Sequence, residues 1–341
     1  MKILIISNMY PSIEAPSSGI FVKRISDQLS SCPDIIVDTW TLPHWNKYLA
    51  YLYFYFAFIF KILVSRPNYT YCHFVTHTGL LGVFAKKIIG STLVLNCHGS
   101  DVIGSLEKSR FRYKLCNFLF RKSDLIITPS RFLQDTIEGN FIIDSKEFYI
   151  SPSGGVPIPQ LPNYKDAETV LNIGYVGRIV ENKGVNVLVQ ALNKITIPVH
   201  LTVAGAGDPH IFSNIKKDNT IVKIYGELHH EELHSIYSQI DVLIFPTLLR
   251  ESLGLTPLEA MAFGVPVIGS DIGAIPEYII PEQTGYLVHT GCADSLRDAL
   301  LKFSALSKSE KMKLSAGARK MAQKYDEKIV AMQLIEKLIS L

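Results

Sequence analysis

Val170-Leu-Asn-Ile-Gly174-Tyr-Val-Gly177-Arg178-Ile-Val-Glu-Asn-Lys183-Gly184-Val185-Asn-Val-Leu188 decides how this chain folds. Val170–Val176 is a short apolar run without alternation, which predicts a strand buried on both faces. Gly177 and Gly184 bracket a short loop. From Val185 to Ile195 the apolar residues Val185, Leu188, Ala191, Leu192 and Ile195 fall at helical spacing. Strand, glycine-bearing loop and helix in this order form half of a βαβ unit, and such units build parallel sheets covered by helices. The free amides at the start of a helix attract anions, and Arg178 and Lys183 add fixed positive charge beside them. The stretch therefore fits a phosphate, although an Arg and a Lys on a surface loop are also compatible with plain solvation.

The same grammar extends in both directions. Lys2–Ser7, Thr92–Asn96 and Leu125–Thr128 read as buried strands, and Ile20–Ser30 as a helix. Downstream, His200–Ala204, Ile221–Tyr225, Val242–Phe245, Pro266–Gly269 and Gly285–Leu287 read as strands. Helices are expected at Glu231–Ser238 and Leu255–Phe263, and the last thirty or so residues also read as helix. Between the halves, Ser151–Pro162 holds four prolines and two glycines in twelve residues, a stiff non-helical connector. A chain of 341 residues accommodates two domains. The expected division is residues 1–157, residues 158–320, and a C-terminal segment 321–341 packing back on the first domain. Two such domains leave a cleft facing the carboxyl ends of both sheets, where ligands of open α/β sheets bind.

Composition narrows the function classes. Apolar residues make up 48% and charged residues 19%, which excludes wholesale disorder. A net charge of +3 is too mild for a dedicated nucleic-acid binder. The charge is uneven: residues 1–155 carry 16 Lys and Arg against 11 Asp and Glu, a net of +5, and the remainder carries 18 against 20, a net of −2. The first half thus suits an anionic partner. Five scattered cysteines without a C-x-x-C pair point to a reducing compartment and no disulfide framework. No charged segment precedes a long apolar run at the start, so no export signal is expected. Tyr48–Phe60 is uncharged and has eight Tyr or Phe among thirteen residues, short of the roughly 20 needed to span a bilayer. It reads as a buried helix of the first domain, or as a helix lying at a membrane surface. Around it in chemistry if not in sequence, Lys108, Arg110, Arg112, Lys114, Arg121 and Lys122 interleave with Phe111, Tyr113, Leu115, Phe118, Leu119 and Phe120. That pattern suits an interfacial helix at an anionic membrane, or a core helix with a solvated basic face.

Several further motifs carry polar chemistry. In Glu251-Ser-Leu-Gly254-Leu-Thr-Pro257-Leu-Glu259, two carboxylates flank a helix start whose Gly254 admits a close backbone approach. They suit a hydroxyl-rich ligand with a phosphate between them, or helix capping alone. His98-Gly99-Ser100-Asp101 follows a strand and offers either catalytic groups or a capped turn. Pro16-Ser17-Ser18-Gly19 is a candidate phosphate-side loop. Neither G-x-G-x-x-G nor a Walker A pattern occurs, which weighs against dinucleotide and P-loop readings. His230-Glu231-Glu232-Leu233-His234 matches the H-E-x-x-H zinc signature, but no third ligand follows in the usual place, so a surface helix is the expectation.

Taken together, Gly19-Ile-Phe-Val-Lys-Arg, His98-Gly-Ser-Asp, Ser151-Pro-Ser-Gly-Gly-Val, Gly177-Arg178 with Lys183-Gly184, Gly205-Ala-Gly207 and Glu251–Glu259 followed by Ala-Met-Ala-Phe-Gly-Val-Pro-Val-Ile resemble the family-4 retaining glycosyltransferases. The resemblance covers nearly the whole chain. It implies the GT-B fold, two Rossmann-like α/β domains facing a central cleft, and a nucleotide-diphosphate sugar as donor, with a UDP-sugar favoured. It assigns Arg178 and Lys183 to the donor diphosphate, helped by the amides of Gly254 and Leu255, with Ser252 and Leu253 lining the same turn. Glu259 would bind the ribose, Glu251 the transferred sugar, and Gly226, Glu227 and Leu228 would lie near the base. His98 would lie by the sugar from the first domain, Gly19 would let its loop close over the phosphates, and Asp101 is the acceptor-side candidate.

The implied reaction is retaining transfer of a hexose to a glycan or lipid-linked acceptor in capsule or lipopolysaccharide assembly. No D-x-D motif lies near the cleft, so neither an essential metal nor any other cofactor is expected, and no nucleic acid. The implied place is the cytoplasm, peripheral on the inner face of the membrane. A GT-B epimerase or phosphorylase, or a non-catalytic nucleotide-sugar-binding partner, are the alternatives. Two departures stand out: Ser153-Gly154-Gly155-Val156-Pro157 replaces a linker that often reads Asn-Gly-Val-Asp, and Arg250 precedes Glu251.

Overall fold

A computed structural model describes residues 1–12, 18–43, 46–143, 147–160, 170–216, 219–229 and 231–341, without the side chains of Lys47, Glu107 and Lys108. Pro16, Ser17, Leu161, Pro162 and His230, and the Lys108 side chain, therefore lie outside the described residues. The chain forms two compact units: residues 1–155 with 328–341, and residues 156–327. Both crossings are tied together within the second unit. Val156 N donates to the Tyr325 carbonyl (2.8 Å), and Glu327 N donates to the Val156 carbonyl (3.0 Å). The connector also engages the first unit, where Arg24 Nη1 and Gln28 Nε2 donate to the carbonyls of Gly155 (2.6 Å) and Gly154 (2.9 Å).

The first unit holds strands β1 (Lys2–Ser7), β2 (Ile36–Thr41), β3 (Tyr69–His73), β4 (Thr92–Asn96), β5 (Leu125–Thr128) and β6 (Glu147–Ile150), in the order β2-β1-β3-β4-β5-β6 and parallel throughout. Its helices are α1 (Ile20–Ser30), α2 (Lys47–Ser65), α3 (Val75–Ile89), α4 (Ile103–Lys108), α5 (Arg110–Lys122) and α6 (Arg131–Asn140). The second unit holds β7 (Leu171–Val176), β8 (Val199–Ala204), β9 (Thr220–Ile224), β10 (Val242–Phe245), β11 (Val267–Ser270) and β12 (Gly285–Val288). Helices α7 (Val185–Leu192), α8 (Leu233–Tyr237), α9 (Leu255–Ala262), α10 (Ala293–Ser304) and α11 (Lys308–Gln323) cover it. Its parallel order, β12-β11-β10-β7-β8-β9, is the doubly wound 3-2-1-4-5-6 arrangement read from the other edge. The first sheet follows the related 2-1-3-4-5 order with one more strand. Each sheet is covered on both faces by apolar clusters, which is why its strands lack alternation. Helix α12 (Glu327–Ile339) returns to the first unit, where Leu334 and Leu338 pack with Ile3, Ile5, Val22 and Ile25.

Helix α2 corrects the sequence expectation. It does not stop at Phe60 but runs nineteen residues, from the Asn46 cap, whose Oδ1 accepts from Tyr48 N, to Ser65 ahead of Pro67. Lys61 does not end it, because its ammonium is paired with Asp38 of β2 at 2.6 Å. By length and composition, Tyr48–Ser65 could cross a membrane, yet only 28% of that stretch is buried. The buried-helix reading therefore holds for one face alone. Ala50, Phe54, Phe58 and Ile62 are in the core, and the opposite face is exposed.

Candidate active site

The second unit gathers the residues singled out by charge. In a doubly wound sheet the crevice opens where the strand order reverses, here between β7 and β10. The loops after these two strands carry Lys183 and Glu251. They meet there: Lys183 Nζ lies 2.6 Å from Glu251 Oε1, and each side chain is less than one-fifth exposed. Thr247 Oγ1 donates to the same carboxylate oxygen at 3.1 Å. The loops also pair through the backbone, Leu248 N donating to the Asn182 carbonyl at 3.0 Å. Gly184 makes this possible. Its φ is 75°, and a Cβ there would stand 1.8 Å from the Pro246 carbonyl oxygen, inside any tolerable contact.

Arg178 is exposed, and its carbonyl accepts from the buried Tyr175 hydroxyl at 2.7 Å. Burial pushes the Tyr175 phenol up, with Arg178 opposing and Glu251 reinforcing, so the Arg178 and Glu251 charges both reach one point beneath the loop. Glu251 is also felt by the buried Tyr278, whose hydroxyl donates to the Leu253 carbonyl at 2.8 Å. That bond fixes the turn Ser252-Leu253-Gly254 that opens α9. The first amides of α9 have no intrahelical acceptor, and Pro257 has no amide to offer. The helix start is thus an anion-attracting group directly after Glu251. Glu259, in the second turn of α9, is half-buried, with Oε2 3.2 Å from the Tyr237 hydroxyl. Gly226 joins from β9: its carbonyl accepts from Gly205 N at 2.7 Å, while Glu227 is exposed and Leu228 half-buried.

Four supporting residues escaped the sequence reading: Tyr175, Thr247, Tyr278 and Gly273. Gly273 follows β11 with φ 64°, and a Cβ there would lie 2.5 Å from the Glu251 carbonyl oxygen. The next amide, Ala274 N, donates to that oxygen at 3.0 Å. An Ile-Gly-Ala sequence carries no chemical signal by itself. Only its place against Glu251 reveals the role. Arg250 is exposed.

The first unit contributes differently. Gly19 caps α1 with φ 69°. In His98-Gly-Ser-Asp the turn reading is realised: Ile103 N donates to the Gly99 carbonyl at 2.7 Å. Asp101 faces the interior of the unit. It is 4% exposed, and its two carboxylate oxygens accept from Val75 N (2.8 Å) and His98 N (3.0 Å). It meets the first amide of α3 and holds the His98 turn from inside the unit. Burial raises its carboxyl pKa against those bonds.

His98 stands in an aromatic box, 4.6 Å from the rings of Phe21 and Phe74, and its Nε2 is 2.9 Å from Nδ1 of the fully buried His73. Burial lowers His98 to about 3 and holds His73 well below the ordinary imidazole value, so both rings are neutral. His73 Nε2 is buried without a hydrogen-bond partner among the described residues. A stranded N–H costs more than a stranded ring lone pair. His73 therefore keeps its proton on Nδ1 and donates it to His98 Nε2, leaving His98 with its own N–H on Nδ1.

Among the described residues, no group of three or more His, Cys, Asp or Glu is clustered to hold a metal. Of the H-E-x-x-H segment, helix α8 begins only at Leu233, and the His234 ring lies 5.0 Å from Phe263.

Comparison with known proteins places this geometry in a family. A family model for "Glycosyl transferases group 1" matches residues 171–305, and one for "Glycosyl transferase 4-like" matches residues 20–130. The chain is 25% identical to an uncharacterized glycosyltransferase of Methanocaldococcus jannaschii over 89% of its own length and 88% of the relative's. It is 26% identical to a lipopolysaccharide 1,2-N-acetylglucosaminetransferase of Salmonella typhimurium over 62% and 61% of the two chains. Sucrose-phosphate synthase from Thermosynechococcus elongatus shares its fold with a TM-score of 0.83 at 20% identity, covering 100% of this chain and 99% of that one. HepE from Anabaena, solved with UDP-glucose, does so with a TM-score of 0.74 at 17% identity over 100% of both. The chain belongs to the group 1, GT4-like glycosyltransferases and has the GT-B fold.

Proposed function

We propose that this glycosyltransferase moves a hexose, with retention of anomeric configuration, from a nucleoside-diphosphate sugar to a glycan or lipid-linked acceptor in cell-surface polysaccharide synthesis. The observation that carries the reading is the Lys183–Glu251 pair at the reversal point of the second sheet, directly before the α9 N-terminus. It offers a cation and helix amides to a diphosphate, and a carboxylate to sugar hydroxyls. HepE, a neighbour in fold, was solved with UDP-glucose, which supports a UDP-sugar. In this reading Arg178, Lys183 and the amides of Gly254 and Leu255 meet the negative charge that grows on the diphosphate as the glycosyl bond breaks. Groups that bind more strongly as that charge develops lower the barrier. The leaving phosphate takes the acceptor proton on the same face, which gives retention. Glu259 holds the ribose, and Gly226–Leu228 neighbour the base. The diphosphate is stabilised by cations and amides already present, so no metal is essential. The enzyme works at the inner face of the cytoplasmic membrane.

The test is a melting-temperature series in EDTA with UDP, GDP, ADP and their sugar conjugates. Ligand at 100 times its Kd adds about 2.7 kcal/mol, several degrees for a chain of this size. A selective rise with one nucleoside diphosphate supports the donor site, and NMR of the product's anomeric centre then tests retention. No rise with any nucleotide in the folded protein refutes the reading.

A further inference from the structure

A helix on a sheet ordinarily turns a polar face outward. Helix α2 does the reverse. Its exposed positions between Tyr48 and Val64 include Leu49, Leu52, Phe56, Phe60 and Leu63, and none of the exposed large side chains described between Tyr48 and Ser65 is charged. Lys61, the one charge between Tyr48 and Ser65, is spent on Asp38 at the flank. Tyr48, Phe56 and Phe60 are 85%, 69% and 73% exposed. At roughly 200 Å² per aromatic side chain, these three alone present on the order of 450 Å². That already equals the largest apolar patch of a typical monomer.

We propose that this face is a membrane-docking surface that lies in the headgroup–acyl boundary of an anionic bilayer, parallel to its plane. The proposal deepens the membrane part of the proposed function and is independent of the donor chemistry. Three observations select a bilayer as occupant. Phe54, Phe58 and Ile62 on the opposite face are 0% exposed in the core, so the helix is anchored lengthwise and offers a side rather than an end. The neighbouring layer supplies charge complementarity. Helix α3 packs between α2 and α5, and α5 exposes Arg110, Arg112, Lys114, Arg121 and Lys122 with no acidic residue in its sequence. Apolar rings beside a cationic helix match acyl chains beside anionic headgroups. A second copy fits less well, because self-association through this layer brings two sets of α5 cations to one interface. Exposed Phe111 and Phe118 on α5 and Ile88 on α3 extend the apolar component across the layer.

The experiment is vesicle sedimentation of the full chain with phosphatidylcholine vesicles, with and without phosphatidylglycerol, at low and physiological salt. Trp40, stacked on Tyr53 at 5.7 Å, and Trp45 are the fluorescence reporters. The expected result is binding to the phosphatidylglycerol vesicles that weakens with salt. The double variant F56Q/F60Q should lose roughly tenfold or more in partitioning for each ring removed, with melting temperature and nucleoside-diphosphate binding unchanged. The variant R112Q/K122Q should lose the preference for phosphatidylglycerol while keeping its fold. Absence of vesicle binding in the parent protein, or equal binding by F56Q/F60Q, overturns the proposal. So does a concentration-dependent dimer that F56Q/F60Q dissolves without any vesicle binding, which would make a second copy the occupant. Nucleotide binding is read separately, so failure of the donor reading leaves a positive vesicle result standing.

Discussion

The Lys183–Glu251 pair leads to a counterintuitive expectation. The lysine proposed for a diphosphate is held by a carboxylate at 2.6 Å, with both groups less than one-fifth exposed. A diphosphate must win Lys183 from Glu251 and tolerate that carboxylate nearby. A hydrogen bond to a charged group is worth about 1.5–3 kcal/mol. Glu251→Gln keeps the shape and the Thr247 contact but removes the charge, and a neutral amide oxygen still accepts from Lys183. The released energy should therefore fall near the lower end, about 1.5 kcal/mol. That is roughly tenfold tighter binding of the nucleoside diphosphate. Turnover should move the other way, falling roughly 10- to 100-fold as the contact to the sugar hydroxyls is lost. Isothermal titration with UDP, or with whichever nucleoside diphosphate raises the melting temperature most, reads the first quantity. Steady-state transfer or donor hydrolysis reads the second. The gain in affinity must vanish in the Lys183→Met background, which closes a double-mutant cycle. Unchanged or weaker diphosphate binding in a folded Glu251→Gln protein refutes the competition argument.

Other outcomes follow from the same geometry. Arg178→Ala should lower kcat/KM roughly 10- to 150-fold, the kinetic equivalent of about 1.5–3 kcal/mol, with little change in melting temperature because the side chain is exposed. Tyr237→Phe removes the hydroxyl that partners Glu259, so it should weaken binding of the nucleoside diphosphate while leaving inorganic pyrophosphate binding unchanged; equal losses for both would exclude a ribose role for Glu259. His73 and His98 are neutral when folded and titrate near pH 6.5 when unfolded. Below that pH the unfolded chain binds more protons, so stability is lost as the pH falls from about 6.5 toward 3. The cost is about 1.4 kcal/mol for each ring at pH 5.5, measurable as a lower urea midpoint at pH 5.5 than at pH 7.5, and it should shrink in His73→Phe.

Much of the architecture was legible because apolar patterning reports what a local segment must hide. Unalternating runs such as Lys2–Ser7 and Val242–Phe245 are buried on both faces and were read correctly. Strands β2, β3 and β6 are not legible in this way, since Ile36-Val-Asp-Thr-Trp-Thr, Tyr69-Thr-Tyr-Cys-His and Glu147-Phe-Tyr-Ile mix polar and aromatic residues and lack that signature. Likewise, spacing alone could set Arg178, Lys183, Glu251 and Glu259 beside helix starts, because a helix N-terminus is a local event.

Contacts between distant segments belong to the tertiary structure. Lys183 meets Glu251 across 68 residues only because the strand order puts β7 next to β10. Gly273, Tyr175 and Tyr278 matter because they touch that pair, and nothing in their own neighbourhoods says so. Asp101 could have faced outward or inward on its motif alone. Two backbone amides needing acceptors inside the unit turned it inward, since a buried N–H without a partner is costly. The aromatic richness of α2 was plain in the sequence, but which face the core would cover was not. Hydropathy records that a side chain avoids water, and only packing determines whether the protein itself supplies the cover.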